Sequence, residues 1–200
     1  MQTKILSIIK LISHIIINYK INFSYLKIKF TDRIIWIPQR NFIWSPVNIG
    51  ESVSNIFNFG IELSKNISND FKTNAEIYFT SNNSIKKNKS NDDDLTYDKQ
   101  LIYIPEQQVK ASLGINYKSV FLNIFFSNLG KRFSDQENLV SLSPVNLLDA
   151  NLIFSFGVFS LITELKIELN NITNTDYQII SGYPMPLRNY NLNLNLKYNL

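Results

Sequence analysis

The sequence predicts an all-β fold, an antiparallel sheet that crosses a membrane as the wall of a barrel, and three observations predict it. Residues 190–200 place Tyr190, Leu192, Leu194, Leu196, Tyr198 and Leu200 on one face and Asn191, Asn193, Asn195, Lys197 and Asn199 on the other. That side-chain period of two is a strand with an apolar face and a wet face. The same alternation recurs along the chain in segments of about ten residues, the sequence signature of strands that face lipid and an aqueous lumen. The connections between segments alternate short and long, so every long one falls at the same end of the sheet.

Composition narrows the class. The 200 residues are 44% hydrophobic and 18% charged, too polar for a bundle of membrane helices and low in charge for a soluble domain. An aromatic content of 13% suits a wall whose Tyr, Trp and Phe gather at membrane interfaces. Cysteine is absent, so disulfides and thiolate metal sites are excluded, and the single histidine, His14, excludes a histidine cluster. A net charge of +4 without a basic stripe interleaved with aromatics argues against nucleic-acid binding.

Eight strands are expected. The first spans Ile21–Pro38 and changes phase near Tyr25 and Leu26. The second, Asn48–Lys65, sets Val53, Phe57, Phe59, Ile61 and Leu63 against Ser52, Ser54, Asn58, Gly60, Glu62 and Ser64. Phe71–Thr80, Gln107–Lys118, Ser119–Asn128, Asp149–Val158 and Leu161–Asn170 follow, and 190–200 is the eighth. Tight turns are expected at 66–70, 118–119 and 159–160, and long loops at 81–106, 129–148 and 171–188. Short turns at one end and long loops at the other match the periplasmic and extracellular ends of an outer-membrane barrel. Because an unpaired backbone amide in hydrocarbon costs several kcal/mol, such a sheet must close or find partners for its edges.

The amino-terminal segment, residues 1–19, is apolar from Ile5 to Ile17 but broken by Lys10 and His14. It is too short to cross a bilayer as a helix and reads as a signal-like segment or an apolar remnant before the barrel unit, residues 20–200.

Several segments, taken in order, resemble the C-terminal barrel of TonB-dependent outer-membrane receptors. Asp32-Arg33-Ile34-Ile35-Trp36-Ile37-Pro38 resembles that family's D-x-I-x-W-x-P strand end. Trp44-Ser45-Pro46-Val47-Asn48-Ile49, followed by Gly60-Ile61-Glu62, resembles W-x-P-x-N-(I/V) and G-(V/I)-E. Leu169-Asn170-Asn171-Ile172-Thr173-Asn174-Thr175-Asp176-Tyr177 resembles the element before the last loop, with Asn171, Asn174 and Tyr177 at its motif positions. Gly182, Tyr183, Pro184, Pro186 and Arg188 stand where the family carries G-Y-P-x-P-G-R, with Leu187 replacing its last Gly. Leu194, Leu196, Tyr198 and Leu200 match the terminal strand read by the barrel-assembly machinery, except that Leu200 replaces the usual aromatic.

The resemblance implies a barrel of about 22 strands, of which about eight are represented here, with neither plug domain nor energy-coupling segment. It implies uptake of a scarce solute, of the iron chelate, cobalamin or glycan class, driven through the TonB system. A truncated or split receptor of this kind is not expected to transport alone; an upstream chain supplying plug and strands would be its partner, and outer-membrane lipid its surroundings. The alternative is a small eight-stranded barrel closed on itself, acting as an anchor or adhesin. A soluble β-sandwich is a third possibility.

Individual residues carry further expectations. Trp36, Trp44 and Tyr190 are assigned to an aromatic belt at the outer interface. Glu62, Glu76, Glu164, Lys166 and Glu168 face the lumen as a wet wall. Lys86, Lys87 and Lys89 followed by Asp92, Asp93 and Asp94 read as a solvated, mobile loop tip, since three adjacent Asp lack the alternate spacing of calcium loops. No nucleophile, base and orienting group can be assembled, so no enzymatic activity and no cofactor is expected.

Overall fold

The structure is a computed structural model and describes residues 17–39, 43–158 and 161–198. In chain order the strands are β1 (Asn18–Phe30), β2 (Ile34–Pro38), β3 (Trp44–Asn48), β4 (Ser52–Asn66), β5 (Phe71–Lys86), β6 (Gln107–Tyr117), β7 (Val120–Leu129), β8 (Arg132–Phe133), β9 (Ser141–Leu142), β10 (Val145–Val158), β11 (Leu161–Asn170), β12 (Gln178–Ile180), β13 (Tyr183–Pro184) and β14 (Asn189–Tyr198). Eight of them form one antiparallel sheet in the order β1-β4-β5-β6-β7-β10-β11-β14. The other six pair as three short hairpins, β2/β3, β8/β9 and β12/β13, each beyond the same end of the sheet. Among the described residues β1 and β14 do not pair with each other, so the sheet is open.

The pairing sorts side chains into rows that run across every strand. One row reads Tyr19, Leu63, Ala75, Leu113, Ile124, Ala150, Leu169, Tyr190, apolar on all eight strands. The adjacent row on the opposite face reads Asn18, Ser64, Asn74, Gly114, Asn123, Asn151, Glu168, Asn191. A shift of one residue in any strand would exchange its faces, and no shift interrupts these seven ladders.

Burial is inverted relative to a soluble protein. On the apolar face Leu192 is 70% exposed and Phe23 69%. Among the described residues the buried apolar side chains are Ile37, Ile49, Leu101, Ile102 and Val145, all at the loop end. Among the described residues no second sheet covers the apolar face, which is not the arrangement of a soluble sandwich, whose core lies between two sheets. An apolar face of this extent needs a nonaqueous surrounding.

The apolar window drifts across the sheet. Its upper end is Tyr25 on β1 and Tyr190 on β14, yet the row through Tyr190 meets β1 at Tyr19, six residues below Tyr25. Likewise the row through Leu192, mid-window on β14, ends at Lys65 on β4. Six residues of about 3.3 Å over seven strand spacings of about 4.8 Å correspond to strands tilted by roughly 30° against the apolar band. That is close to the roughly 35–45° of membrane barrels.

Several expected boundaries are corrected. Ile21–Pro38 is two strands: β1 ends at Phe30, and after Asp32, whose φ is 52°, Ile34–Pro38 begins a separate hairpin. Asn48 belongs to that hairpin, and β4 starts at Ser52 after Gly50, which adopts φ 68°. The third strand extends to Lys86 instead of Thr80, and the sixth begins at Val145 instead of Asp149. The extension of β10 is Val145-Asn146-Leu147-Leu148, in which apolar residues occupy both faces, whereas polar residues dominate the extension of β5, Ser81–Lys86, because it stands above the apolar band, where alternation no longer follows lipid and lumen. The phase change near Tyr25 has the same cause. Pairing of β1 with β4 is unbroken from Asn18 to Phe30, so Lys27 and Lys29 still point as Tyr25 does; it is the surroundings that change. Residues 1–16, including Ile5, Lys10 and His14, the tight turn at 159–160 and Leu200 lie outside the described residues.

Ile124, on the apolar face, and its neighbour Asn123, on the polar face, offer a direct check. Ile124→Arg should cost about 2–4 kcal/mol of folding stability in lipid vesicles, whereas Asn123→Arg should change it by under about 1 kcal/mol. Reversible denaturant titration of both variants in vesicles measures the difference.

Candidate functional site

Two regions carry the polar chemistry, the inner face of the sheet and the rim of loops above it. On the inner face Glu62 Oε1 accepts from Lys20 Nζ at 3.1 Å, Asn22 Nδ2 at 2.9 Å and the Tyr78 hydroxyl at 2.6 Å. Glu62 stands opposite Glu76 in the register, and Lys20 supplies the cation that offsets that like-charge neighbour. The Tyr78 ring reaches Glu62 by lying over Gly60, where a Cβ would come within 2.6 Å of the ring. Across the sheet Lys166 pairs with Glu168 at 2.6 Å, Asn193 donates to Glu168 at 3.4 Å, and Asn195 donates to Glu164 at 3.4 Å. Between these clusters a recess is lined by Glu76, Tyr78, Lys110, Ser112, Phe125 and Asp149. Such a wall offers hydrogen-bond donors, acceptors and charges along its length and, among the described residues, presents no nucleophile beside a base.

The rim is tied loop to loop. Ile37 and Ile49 from the β2/β3 hairpin bury against Leu101 and Ile102 of the loop after β5, with Ile35, Val47, Tyr103 and Ile104 around them. Gln100 continues the edge of β5 with its side chain: Oε1 accepts from Ser84 N at 2.9 Å and Nε2 donates to Asn82 O at 3.1 Å. The same residue's backbone exchanges bonds with the Asn138 side chain, N to Oδ1 at 2.8 Å and Nδ2 to O at 2.9 Å. Arg132, 1% exposed, donates to Gly130 O at 2.9 Å and reaches the last loop at Gln178 O, 2.8 Å. Burial lowers its pKa from the ordinary value, yet arginine stays charged under any ordinary condition. Each loop is thereby fastened to the next.

The charged tip after β5 is corrected in part: Lys89, Asp92 and Asp93 are exposed, as expected, but the side chains of Lys86 and Asp94 are almost wholly buried and pair at 2.8 Å. Asp94 also accepts from Ser90 N at 2.8 Å, Thr96 N at 2.9 Å and Thr96 Oγ1 at 2.5 Å. The bond from Lys86 first, then those from Thr96 and Ser90, hold the Asp94 carboxyl far below the usual carboxylate range. Lys87 pairs with Asp98, and Lys89 lies 5.1 Å from the Tyr97 ring centre. The run of like charges in the sequence hid opposite charges that meet across a turn. Among the described residues no group of three or more His, Asp or Glu can hold a metal ion.

The residues singled out from family resemblance converge on the last loop. Asn171, buried with φ 51°, accepts from Thr175 N at 2.8 Å and donates to Thr175 O at 2.8 Å and Pro186 O at 3.3 Å. Its backbone N donates to Asp149 Oδ1 at 2.6 Å, anchoring the loop to β10. Asn174, φ 55°, accepts from Arg188 N at 3.0 Å, and Tyr177 O accepts from Met185 N at 3.0 Å. Gly182, φ 83°, turns β12 into β13, which contains Tyr183 and Pro184. All eight motif residues therefore shape one loop. Leu194, Leu196 and Tyr198 lie on the outward face of β14, each about 60% exposed.

Tyr190 tops the outward face of β14, but Trp36 and Trp44 are on the β2/β3 hairpin, off the sheet; Trp36 is exposed and Trp44 leans on Tyr103 at 5.7 Å. The aromatics at the upper end of the apolar band are Phe23, Tyr25, Phe57, Phe59 and Phe79, with Phe57 5.1 Å from Phe23 and 6.4 Å from Phe79. Their alternate spacing in the sequence was the available signal. Gln100, Arg132 and Asn138 had none, because their partners are other loops.

Two outcomes test the rim. Asn171→Ala removes three hydrogen bonds and forces a left-handed backbone on alanine, and should weaken the last loop by about 2–4 kcal/mol. Asn171→Gly should recover the backbone part only; amide exchange over residues 172–187 separates the two. Since the folded pKa of Asp94 is depressed, its contribution to the loop is complete above about pH 4. It declines as pH falls from there towards the folded pKa. Limited proteolysis of residues 87–98 at decreasing pH should show increasing cleavage in that window, and Asp94→Asn should show it already at neutral pH.

No protein-family profile and no curated protein matches the sequence. Solved structures do match the fold. The ferric preacinetobactin receptor BauA from Acinetobacter baumannii superposes with a TM-score of 0.66 at 16% identity, over 89% of this chain and 27% of that one. The siderophore receptor PiuA from the same organism gives 0.59 at 16% identity, over 91% and 26%. The copper transporter OprC gives 0.59 at 13% identity, over 86% and 28%. The chain thus spans about a quarter of the length of the receptors it matches. An open, tilted antiparallel sheet with all its long loops at one end has the fold of one sector of a TonB-dependent receptor barrel.

Proposed function

We propose that this chain is a sector of the wall of an outer-membrane receptor that takes up a scarce solute, of the iron chelate, cobalamin or glycan class. The observation that carries the reading is the separation of faces: across eight strands one face is apolar from Tyr19 to Tyr190, while Glu62, Glu76, Asp149, Glu164 and Glu168 all lie on the other. Lipid on one side and a polar lumen on the other is the arrangement that this separation fits. The role is that of a receptor and not an enzyme, in keeping with the receptors and transporter that share the fold.

In this reading residues 20–200 form the barrel unit, and β14, with Leu194, Leu196 and Tyr198, together with Leu200 two residues beyond it in the sequence, is what the barrel-assembly machinery engages. Tyr190 joins the aromatic belt with Phe23 and Tyr25 on β1, Phe57 and Phe59 on β4 and Phe79 on β5, while Trp36 and Trp44 extend it onto the rim. The free edges of β1 and β14 take strands from the remainder of such a barrel, on the same or a companion chain. Energy coupling through TonB needs a plug, so the sector alone does not drive uptake.

Sidedness tests the proposal. In intact cells expressing the chain, a cysteine at Lys89, in the loop after β5, should react with an impermeant thiol reagent, and one at Ser68, in the β4–β5 turn, should react only after the outer membrane is opened. Equal reaction at both positions, or recovery of the chain in the soluble fraction, would refute it. A disulfide formed between cysteines placed on β1 and β14 in the absence of other chains would favour the closed eight-stranded anchor instead.

A further inference from the structure

An exposed aromatic ring stands among the charges of the inner face. Phe125 points inward from β7 in one row with Glu76, Ser112 and Asp149, and it is 38% exposed. It forms one side of a recess of about 420 Å³ whose other side is Glu76 and Tyr78 on β5. Two strand spacings of about 4.8 Å separate those sides. Between them β6 contributes Ser112, whose small side chain keeps the floor low, and Lys110.

The polar groups of this recess are uncommitted. Among the described residues neither Glu76 nor Lys110 takes part in an ion pair, and Asp149 uses only Oδ1, which accepts from Asn171 N. Tyr78, by contrast, is fixed, with its hydroxyl given to Glu62 and its ring over Gly60. Next towards the turn end on the same face, Asn123 and Asn151 are partners across β7 and β10, and each holds a buried carboxamide oxygen that meets no donor. This stretch of wall therefore has more acceptors than donors.

Resting on the reading of the sheet as the wall of a solute receptor, we propose that this recess is a saccharide subsite, which singles out the glycan among the solute classes named above. A sugar ring has an apolar face of C–H groups that stacks on the negative face of an aromatic ring such as Phe125. Its hydroxyls donate to the carboxylates of Glu76 and Asp149 and accept from Lys110 and Ser112. Two unpaired carboxylates suit a neutral ligand rich in donors. They repel an iron chelate whose catecholate or carboxylate oxygens are themselves acceptors bearing negative charge. A corrinoid ring overfills a recess of this volume, whereas a small saccharide does not.

The test inserts the full chain into phosphatidylcholine vesicles and measures binding of maltose, cellobiose, lactose and chitobiose by equilibrium dialysis. At least one of them should bind, and Phe125→Ala should weaken that binding about tenfold, while Phe125→Tyr, which keeps the ring, should stay within about twofold of wild type. Glu76→Gln should weaken it about tenfold, and Ile153→Ala, nearer the turn end of β10, should leave it unchanged. A ferric tris-catecholate in the same assay should bind more weakly than the saccharide. Binding of no saccharide in the set, equal binding by Phe125→Ala, or a tighter catecholate complex that Glu76→Gln strengthens overturns the subsite while the wall stands. Failure of the wild-type chain to insert into any vesicle overturns the wall reading together with it.

Discussion

Backbone hydrogen bonding in a medium without water is the constraint on which the rest depends. A strand in hydrocarbon has no solvent to satisfy its amides, so each must be met by the strand beside it. The consequence is visible in the ladders, which run without a register shift from β1 to β14. Unbroken register keeps each residue's parity, and parity alone assigns it to lipid or lumen. Gly60 and Gly114 fit the same logic: each leaves room on the inner face for a side chain of the next strand, Tyr78 or Asn74, to lie across it, so the wall changes thickness without bending a ladder.

Because the strands are tilted, lipid is not parallel to the rows of paired residues. Leu192 and Lys65 share a row, yet one is mid-band and the other below it. This geometry explains why alternation fades at a different point on each strand and why polar extensions such as Thr80–Lys86 still belong to the sheet. Tilt also brings the aromatic residues of β1, β4 and β5 into one cluster at the top of the band, with Phe57 between Phe23 and Phe79.

Above the band the organising principle changes. Little apolar surface is available to the loops, apart from the cluster around Ile37, Ile49, Leu101 and Ile102. Order comes instead from side chains that imitate backbone: Gln100 extends β5, Asn138 bridges to Gln100, and Asn171 closes its own loop. A primary amide has one acceptor and one donor group in fixed geometry and so can replace a missing peptide neighbour. Arg132 and the Lys86–Asp94 pair complete the rim with buried charge fully engaged in hydrogen bonds at the carboxylate and largely so at the guanidinium. The lumen-facing recess is thus framed by a wall set by lipid and a rim set by amides.

By itself the sequence determined the eight strands of the main sheet, the two faces, the end that bears the long loops and the segment of the last loop, Asn171 to Arg188, that carries the family resemblance. These are local properties: a period of two persists because neighbouring side chains on one strand must point to opposite solvents. It could not place the ends of β1, β5 or β10, because outside the lipid band no periodic force acts on polarity. Nor could it show that Lys86 meets Asp94 or that Gln100 meets Asn138. Those depend on how far each strand is displaced against its neighbour, a distance set by tilt and pairing between segments remote in the chain, and only the tertiary structure decided it.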